Sequence, residues 1–167
     1  MYYFYRFERG RERSITTLDE GLIVRNVTPV MTFDRTEEMG IGPLMHIYLE
    51  VLTFLKKGFS RVYREMQIVK NGTSRSKAVL VSKVPIYEFM PEDGIHICFF
   101  RTNPEDRGHG YYPQLLRYIL SKYPDKDFYM IVDEVNIPSI KGIEKAGFVK
   151  YAEGDKVGKT FKISRYV

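Results

Sequence analysis

The segment from Phe99 to Tyr112 has the residue types most able to do chemistry. Apolar Phe99-Phe100 runs through Arg101-Thr102 into a polar turn and then, from Gly110, into a helical pattern. A helix starting there turns unpaired backbone N–H groups and the positive end of its dipole toward the loop. Gly108 and Gly110 let backbone approach an anion closely, and Arg107 adds a planar fork of donors at the rim. The chemistry on offer is phosphate binding. A lone Gly-x-Gly is also what a tight turn needs, so the loop alone leaves both readings open.

Metal and disulfide chemistry have little support. Cys98 is the single cysteine, and His46, His96 and His109 show no ligand spacing, so no metal site is expected. One thiol without a partner fits a reducing, cytoplasmic setting. The 26 Lys+Arg exceed the 21 Asp+Glu by five in a chain of 167 residues. That excess suits phosphate-bearing ligands, but no basic-aromatic motif of the RNA-binding sheets accompanies it, so no nucleic-acid partner is expected. Met1 to Arg13 has no apolar run ahead of its charges. The longest apolar stretch, Ile41 to Leu55, is broken by His46 and Glu50, so neither a signal peptide nor a membrane partner is expected.

The elements that must position the loop follow from periodicity. Tyr2 to Glu8 is aromatic-rich and reads as a strand, and the segment after it is open between a strand over Gly21 to Val27 and a helical turn over Ser14 to Gly21. Leu44, Ile47, Tyr48, Val51, Leu52 and Leu55 predict a helix over Glu37 to Gly58. Arg61–Lys70 and Lys77–Tyr87 predict a hairpin about Asn71-Gly72. Ile95–Thr102 and Phe128–Val132 are continuous apolar strands, each followed by a helix, Gly110–Lys122 and Asn136–Ala146. Strands over Phe148–Ala152 and Lys159–Tyr166 complete one domain over residues 1–167, a mixed α/β sheet.

Arg107-Gly108-x-Gly110 at a helix entry, then a strand, then Asn136-x-x-Ser139 opening a helix that ends in Gly147-Phe148 resembles the GCN5-related N-acetyltransferase (GNAT) superfamily. The motifs span Gly94 to Phe148. The resemblance implies an α+β fold with a mostly antiparallel sheet, two parallel strands that splay apart, and flanking helices. It implies acetyl-coenzyme A in that splay and direct transfer of the acetyl group to a primary amine. The pyrophosphate signature falls on Arg107, Gly108, His109, Gly110, Tyr111 and Tyr112, with Tyr112 a bulky departure at its last position. His109 sits where the family tolerates many residues. By the same analogy Phe100, Arg101 and Thr102 offer backbone groups to the pantetheine arm and thioester, and Asn136 and Ser139 lie beside it. For Asn136, a helix N-cap is equally good chemistry.

Amide formation also needs proton movement. The tyrosine that many relatives place midway along the second helix is Ile143 here, leaving Ser139, Tyr111 and Tyr112 as nearby hydroxyls. His96 and Glu134 are the base candidates, each with a bland alternative, a core histidine and a loop carboxylate. Cys98 reads as a core residue, and Lys156, Lys159, Lys162 and Arg165 as a solvated face. The acceptor is open among an amino sugar, a small amine or polyamine, and a peptide or protein amine. So is a homodimer. The competing reading is an acyl-CoA-binding regulatory protein without turnover.

Overall fold

The computed structural model describes residues 1–12, 18–27, 47, 51, 62–84, 87–158 and 160–167. Its strands are β1 (Tyr2–Phe7), β2 (Leu22–Val27), β3 (Tyr63–Lys70), β4 (Thr73–Ser82), β5 (Ile95–Thr102), β6 (Phe128–Asp133), β7 (Val149–Val157) and β8 (Thr160–Tyr166). Helix α1 (Tyr111–Lys122) joins β5 to β6, and α2 (Ile137–Lys145) joins β6 to β7. The strands form one sheet in the order β2-β3-β4-β5-β6-β1-β7-β8. Every neighbouring pair is antiparallel except β5 and β6, the mixed arrangement expected from the sequence. No described helix is long and apolar enough to cross a membrane.

Local chemistry explains most of the elements. Asn71 and Gly72 both take positive φ, 52° and 78°, as a two-residue hairpin between twisted strands requires. That turn starts β4 at Thr73, four residues before the expected Lys77, and the strand ends at Ser82 instead of Tyr87. The apolar residues beyond it, Val84, Tyr87, Phe89 and Met90, are buried as a connecting segment under the sheet. Leu22–Val27 resolves as a strand, paired with β3 from Leu22↔Lys70 to Val27↔Glu65. The last hairpin is longer than expected because β7 continues past Ala152 to Val157. Gly154 permits this: a Cβ there would lie 2.0 Å from the Lys162 carbonyl oxygen across the β7–β8 irregularity. The helix expected over Glu37–Gly58 lies outside the described residues apart from Ile47 and Val51.

The sheet separates two apolar clusters. On one face Ile95, Ile97, Met66, Ile68, Leu80 and Phe128 pack under Leu115, Leu116, Ile119 and Ile143 of the two helices. On the other, Phe4, Val79, Val81, Tyr87, Phe89 and Tyr129 form an aromatic-rich layer. Two polar ties fix the helices: Gln114 exchanges hydrogen bonds with Asp19, and the Tyr5 hydroxyl donates to Glu144 at 2.8 Å.

Candidate functional site

The site begins with a failure of pairing. β5 and β6 run side by side only at Ile95↔Phe128 and His96↔Tyr129. Past that point they separate, so residues 97–102 of β5 have no strand neighbour on the β6 side among the described residues. On the other side, β5 carries one extra residue against β4: Lys77 pairs with Arg101 but Val79 with Cys98. The bulge centres on Phe99, whose φ of 49° is a conformation few non-glycine residues adopt. It reverses the alternation, so Ile95 and Ile97 face the helices, His96 and Cys98 face the aromatic layer, and Phe100 turns back to the helix side.

A single 3-10 turn, Pro104–Asp106, leads from β5 into the glycine loop. Asp106, 7% exposed, anchors this turn. It pairs with Arg75 at 3.3 Å and accepts from Asn103 Nδ2 at 3.2 Å, while the same amide donates to the Ser74 carbonyl. Gly108 and Gly110 hold φ of 82° and 76°. Helix α1 begins at Gly110 with no side-chain cap, so the N–H groups of its first turn keep their donor capacity. Pro113, third in that helix, has no N–H to leave unpaired. Helix α2 starts nearby with a cap: Asn136 Oδ1 accepts from the Ser139 N–H at 3.3 Å, the bland alternative read from the sequence.

These pieces line one cavity of about 520 Å³. Ten of the residues expected to bind a cofactor line it: Phe100, Arg101, Thr102, Arg107, Gly108, Gly110, Tyr111, Tyr112, Asn136 and Ser139. His109 does not; it is exposed, with its ring stacked at 5.9 Å on Tyr111. Its charged lining residues are Arg101, Arg107 and Asp106, the last paired with Arg75.

Sequence reasoning missed three residues here. Phe99 makes the bulge, Asp106 anchors the loop, and Gly142 accommodates Tyr112. A Cβ on Gly142 would meet the Tyr112 ring at 2.4 Å, and that ring lies 4.0 Å from the Phe100 ring in an edge arrangement. The bulky departure at Tyr112 is therefore matched by a missing side chain on the facing helix. Burial raises the Tyr112 phenol pKa, which keeps its proton on.

The two base candidates are not brought together. His96, 5% exposed, packs its ring edge-on against Tyr87 and Phe89 at 4.8 and 5.1 Å, on the face away from the helices. Its Nδ1 is buried without a partner, and desolvation lowers its pKa to about 3. An imidazole so weakly basic is a poor proton acceptor at neutral pH. Glu134 lies beyond the far end of β6, five residues from the Tyr129 that pairs with His96, or about 16 Å along the strand. Its carboxylate sits 3.3 Å from the Met1 ammonium. Neither residue is among those lining the cavity. The Cys98 thiol, pushed up by burial and hydrogen-bonded with Tyr87, packs against the aromatic layer. At the C-terminus, Arg165 pairs with Glu153 at 2.6 Å, while Lys156 and Lys162 are exposed.

No protein-family model matches this sequence, and no curated protein does. Solved structures do match. A GCN5-related N-acetyltransferase from Sphaerobacter thermophilus superposes with a TM-score of 0.62 at 13% identity, over 89% of this chain and 48% of that one. A GNAT-family acetyltransferase from Colwellia psychrerythraea gives 0.56 at 12% identity, over 89% and 52%. AAC(6′)-Ib, solved in complex with paromomycin and acetyl-CoA, gives 0.58 at 16%, over 86% and 91%. This chain thus spans about half the length of the first two and most of the third. At these identities the likeness establishes a GNAT-like fold.

Proposed function

We propose that this chain, built on a GNAT-like fold, is an acyltransferase that moves an acetyl group from acetyl-CoA to a primary amine. The observation that carries the reading is the convergence, on one cavity, of the splayed edge of β5, the uncapped start of α1 with its two positive-φ glycines, and the start of α2. Coenzyme A fits the donor set. Its pyrophosphate would meet the N–H groups of Gly108 to Tyr112 with Arg107 at the rim, and its amide-bearing arm would meet the β6-side edge of β5 from Phe100 to Thr102, with Asn136 and Ser139 beside it.

Bound acetyl-CoA supplies an acyl carbon open to attack by an amine. The chain's own part is to hold and orient. Backbone N–H groups at the Phe99 bulge, released from ladder pairing, stabilise negative charge developing on the carbonyl oxygen. Tyr112 lines the cavity, and its phenol, made a weaker acid by burial, offers a hydrogen bond to the departing sulfur, a contact that Ile143, buried in the core, cannot make. Deprotonation of the incoming ammonium falls to water. His96 is too deeply buried in the aromatic layer for that task, and Glu134 lies outside the cavity.

The test is thiol release from acetyl-CoA against a panel of an amino sugar, a polyamine, amino acids and a lysine peptide. Release with at least one acceptor supports transfer. Tight acetyl-CoA binding with no release from any of them would leave a non-catalytic acyl-CoA-binding protein.

A further inference from the structure

The cavity has a floor as well as a mouth. On α2 its lining runs from Asn136 inward to Gly142, about 9 Å at the usual helical rise, and on β5 it stops at Phe100. Beyond those two residues the interior is packed: Ile97, Leu115 and Ile143 are each 1% exposed or less. The Tyr112 ring bridges the space between them. It meets the Phe100 ring edge-on with centroids 4.0 Å apart, and both side chains pack against that core. Its other contact is with Gly142, where a Cβ would come within 2.4 Å of the ring. The ring is therefore held by the strand on one side and by the helix on the other.

With the phosphates of the donor at the start of α1 and its arm following β5 from Thr102 inward to Phe100, the acyl group is the end of the molecule that reaches this floor. An acetyl group carries a single carbon beyond its carbonyl. Each further methylene would have to displace a ring braced on two sides, and closely packed side chains give up little volume. We infer that the Tyr112 ring, seated on Gly142 and braced by Phe100, sets the length of the acyl group and restricts the donor to acetyl-CoA and its shortest homologues. This rests on the acetyl-CoA reading above. The bulky departure at the end of the glycine loop is then a specificity residue, and it acts through the bulk of the ring.

The experiment is calorimetric titration with free coenzyme A and with acetyl-, propionyl-, butyryl- and hexanoyl-CoA. For the wild type, the Kd should rise by about ten-fold or more from acetyl- to hexanoyl-CoA. Tyr112→Ala should remove that rise, with hexanoyl-CoA bound at least as tightly as acetyl-CoA. Tyr112→Phe, which keeps the ring, should discriminate as the wild type does. Tyr112→Leu keeps an apolar side chain against the core, so it reads the same change in smaller measure if the alanine variant does not fold. A wild type that binds hexanoyl-CoA as tightly as acetyl-CoA, or a folded Tyr112→Ala protein that still rejects it, would overturn the inference. So would a Tyr112→Phe protein relaxed as far as the alanine variant, which would assign the effect to the hydroxyl. Free coenzyme A separates the two claims. No binding of coenzyme A or of any thioester would sink the reading on which the inference rests, whereas coenzyme A binding with no dependence on acyl length would sink the inference alone.

Discussion

The two faces of the sheet solve the problem of polar groups in different ways. On the helix side, the cavity is built around backbone features, a splayed strand edge, two glycines at positive φ and two helix starts, with Tyr112 and Arg107 among its lining residues. On the aromatic side, polarity comes from buried side chains, Glu65, Gln67 and the Nδ1 of His96, each with an atom left unpaired. The bulge at Phe99 is where β5 passes from one regime to the other. A backbone-built site resists loss of any one side chain but is sensitive to anything that fills it, while a site of side chains has the opposite weakness.

Filling the cavity should give the largest effect. Gly110→Glu sets a carboxylate and a Cβ in the cradle, and we expect acetyl-CoA affinity to fall by more than 100-fold with the circular dichroism spectrum retained. Undiminished affinity in the folded variant would place the cofactor elsewhere. Arg107→Ala should act more mildly. A roughly ten-fold rise in the acetyl-CoA KM with kcat nearly unchanged marks binding shared by ground and transition states, whereas a loss confined to kcat would place Arg107 in the chemical step.

Gly142→Ala probes the fit between α2 and Tyr112. With a Cβ 2.4 Å from that ring, we expect about 1–3 kcal/mol of destabilisation. Adding Tyr112→Ala should restore much of it, and strict additivity of the two changes would contradict the contact.

The smallest effect on activity should come from His96, on the aromatic side. The folded protein keeps this imidazole neutral down to about pH 3, against an ordinary value of 6.5. The unfolded chain therefore binds the proton first as pH falls. Stability from this group is complete above about pH 6.5 and declines toward pH 3, by up to roughly 1.4 kcal/mol per pH unit. His96→Gln should flatten that acid limb in thermal melts and leave the pH-rate profile unchanged. A lost acidic limb in the rate would restore His96 as the base.

How much of this was legible in the sequence divides along similar lines. Periodicity and turn chemistry act over a few residues, so Ile95–Thr102, the Asn71-Gly72 hairpin and the helix after Gly110 could all be read directly. The glycine loop and the Asn136 cap could be read because residue type alone marks them, glycine for positive φ and asparagine for a helix start. Strand adjacency could not: nothing local in Tyr2–Phe7 says that β1 inserts between β6 and β7. The bulge stayed hidden because Phe99 is an apolar residue in an apolar run and looks like regular strand. Gly142 looks like a weak point in a helix until the Tyr112 ring is seen above it. Asp106 reads as one more loop acid, and only Arg75, distant in sequence, shows that it is buried and paired. His96 looked chemical by residue type, while its burial among Tyr87 and Phe89 depends on the long-range packing of the connecting segment.

The central claim is that acetyl-CoA lies against backbone at the splay. Amide hydrogen exchange, measured with and without acetyl-CoA, reads that backbone directly. We expect slowed exchange over Phe100–Thr102, Gly108–Tyr112 and Ser139–Gly142, with Val149–Tyr166 unchanged. Saturating acetyl-CoA that leaves those three stretches unprotected, or that protects the separate groove about Arg11, Arg117 and Lys145 instead, would contradict the account.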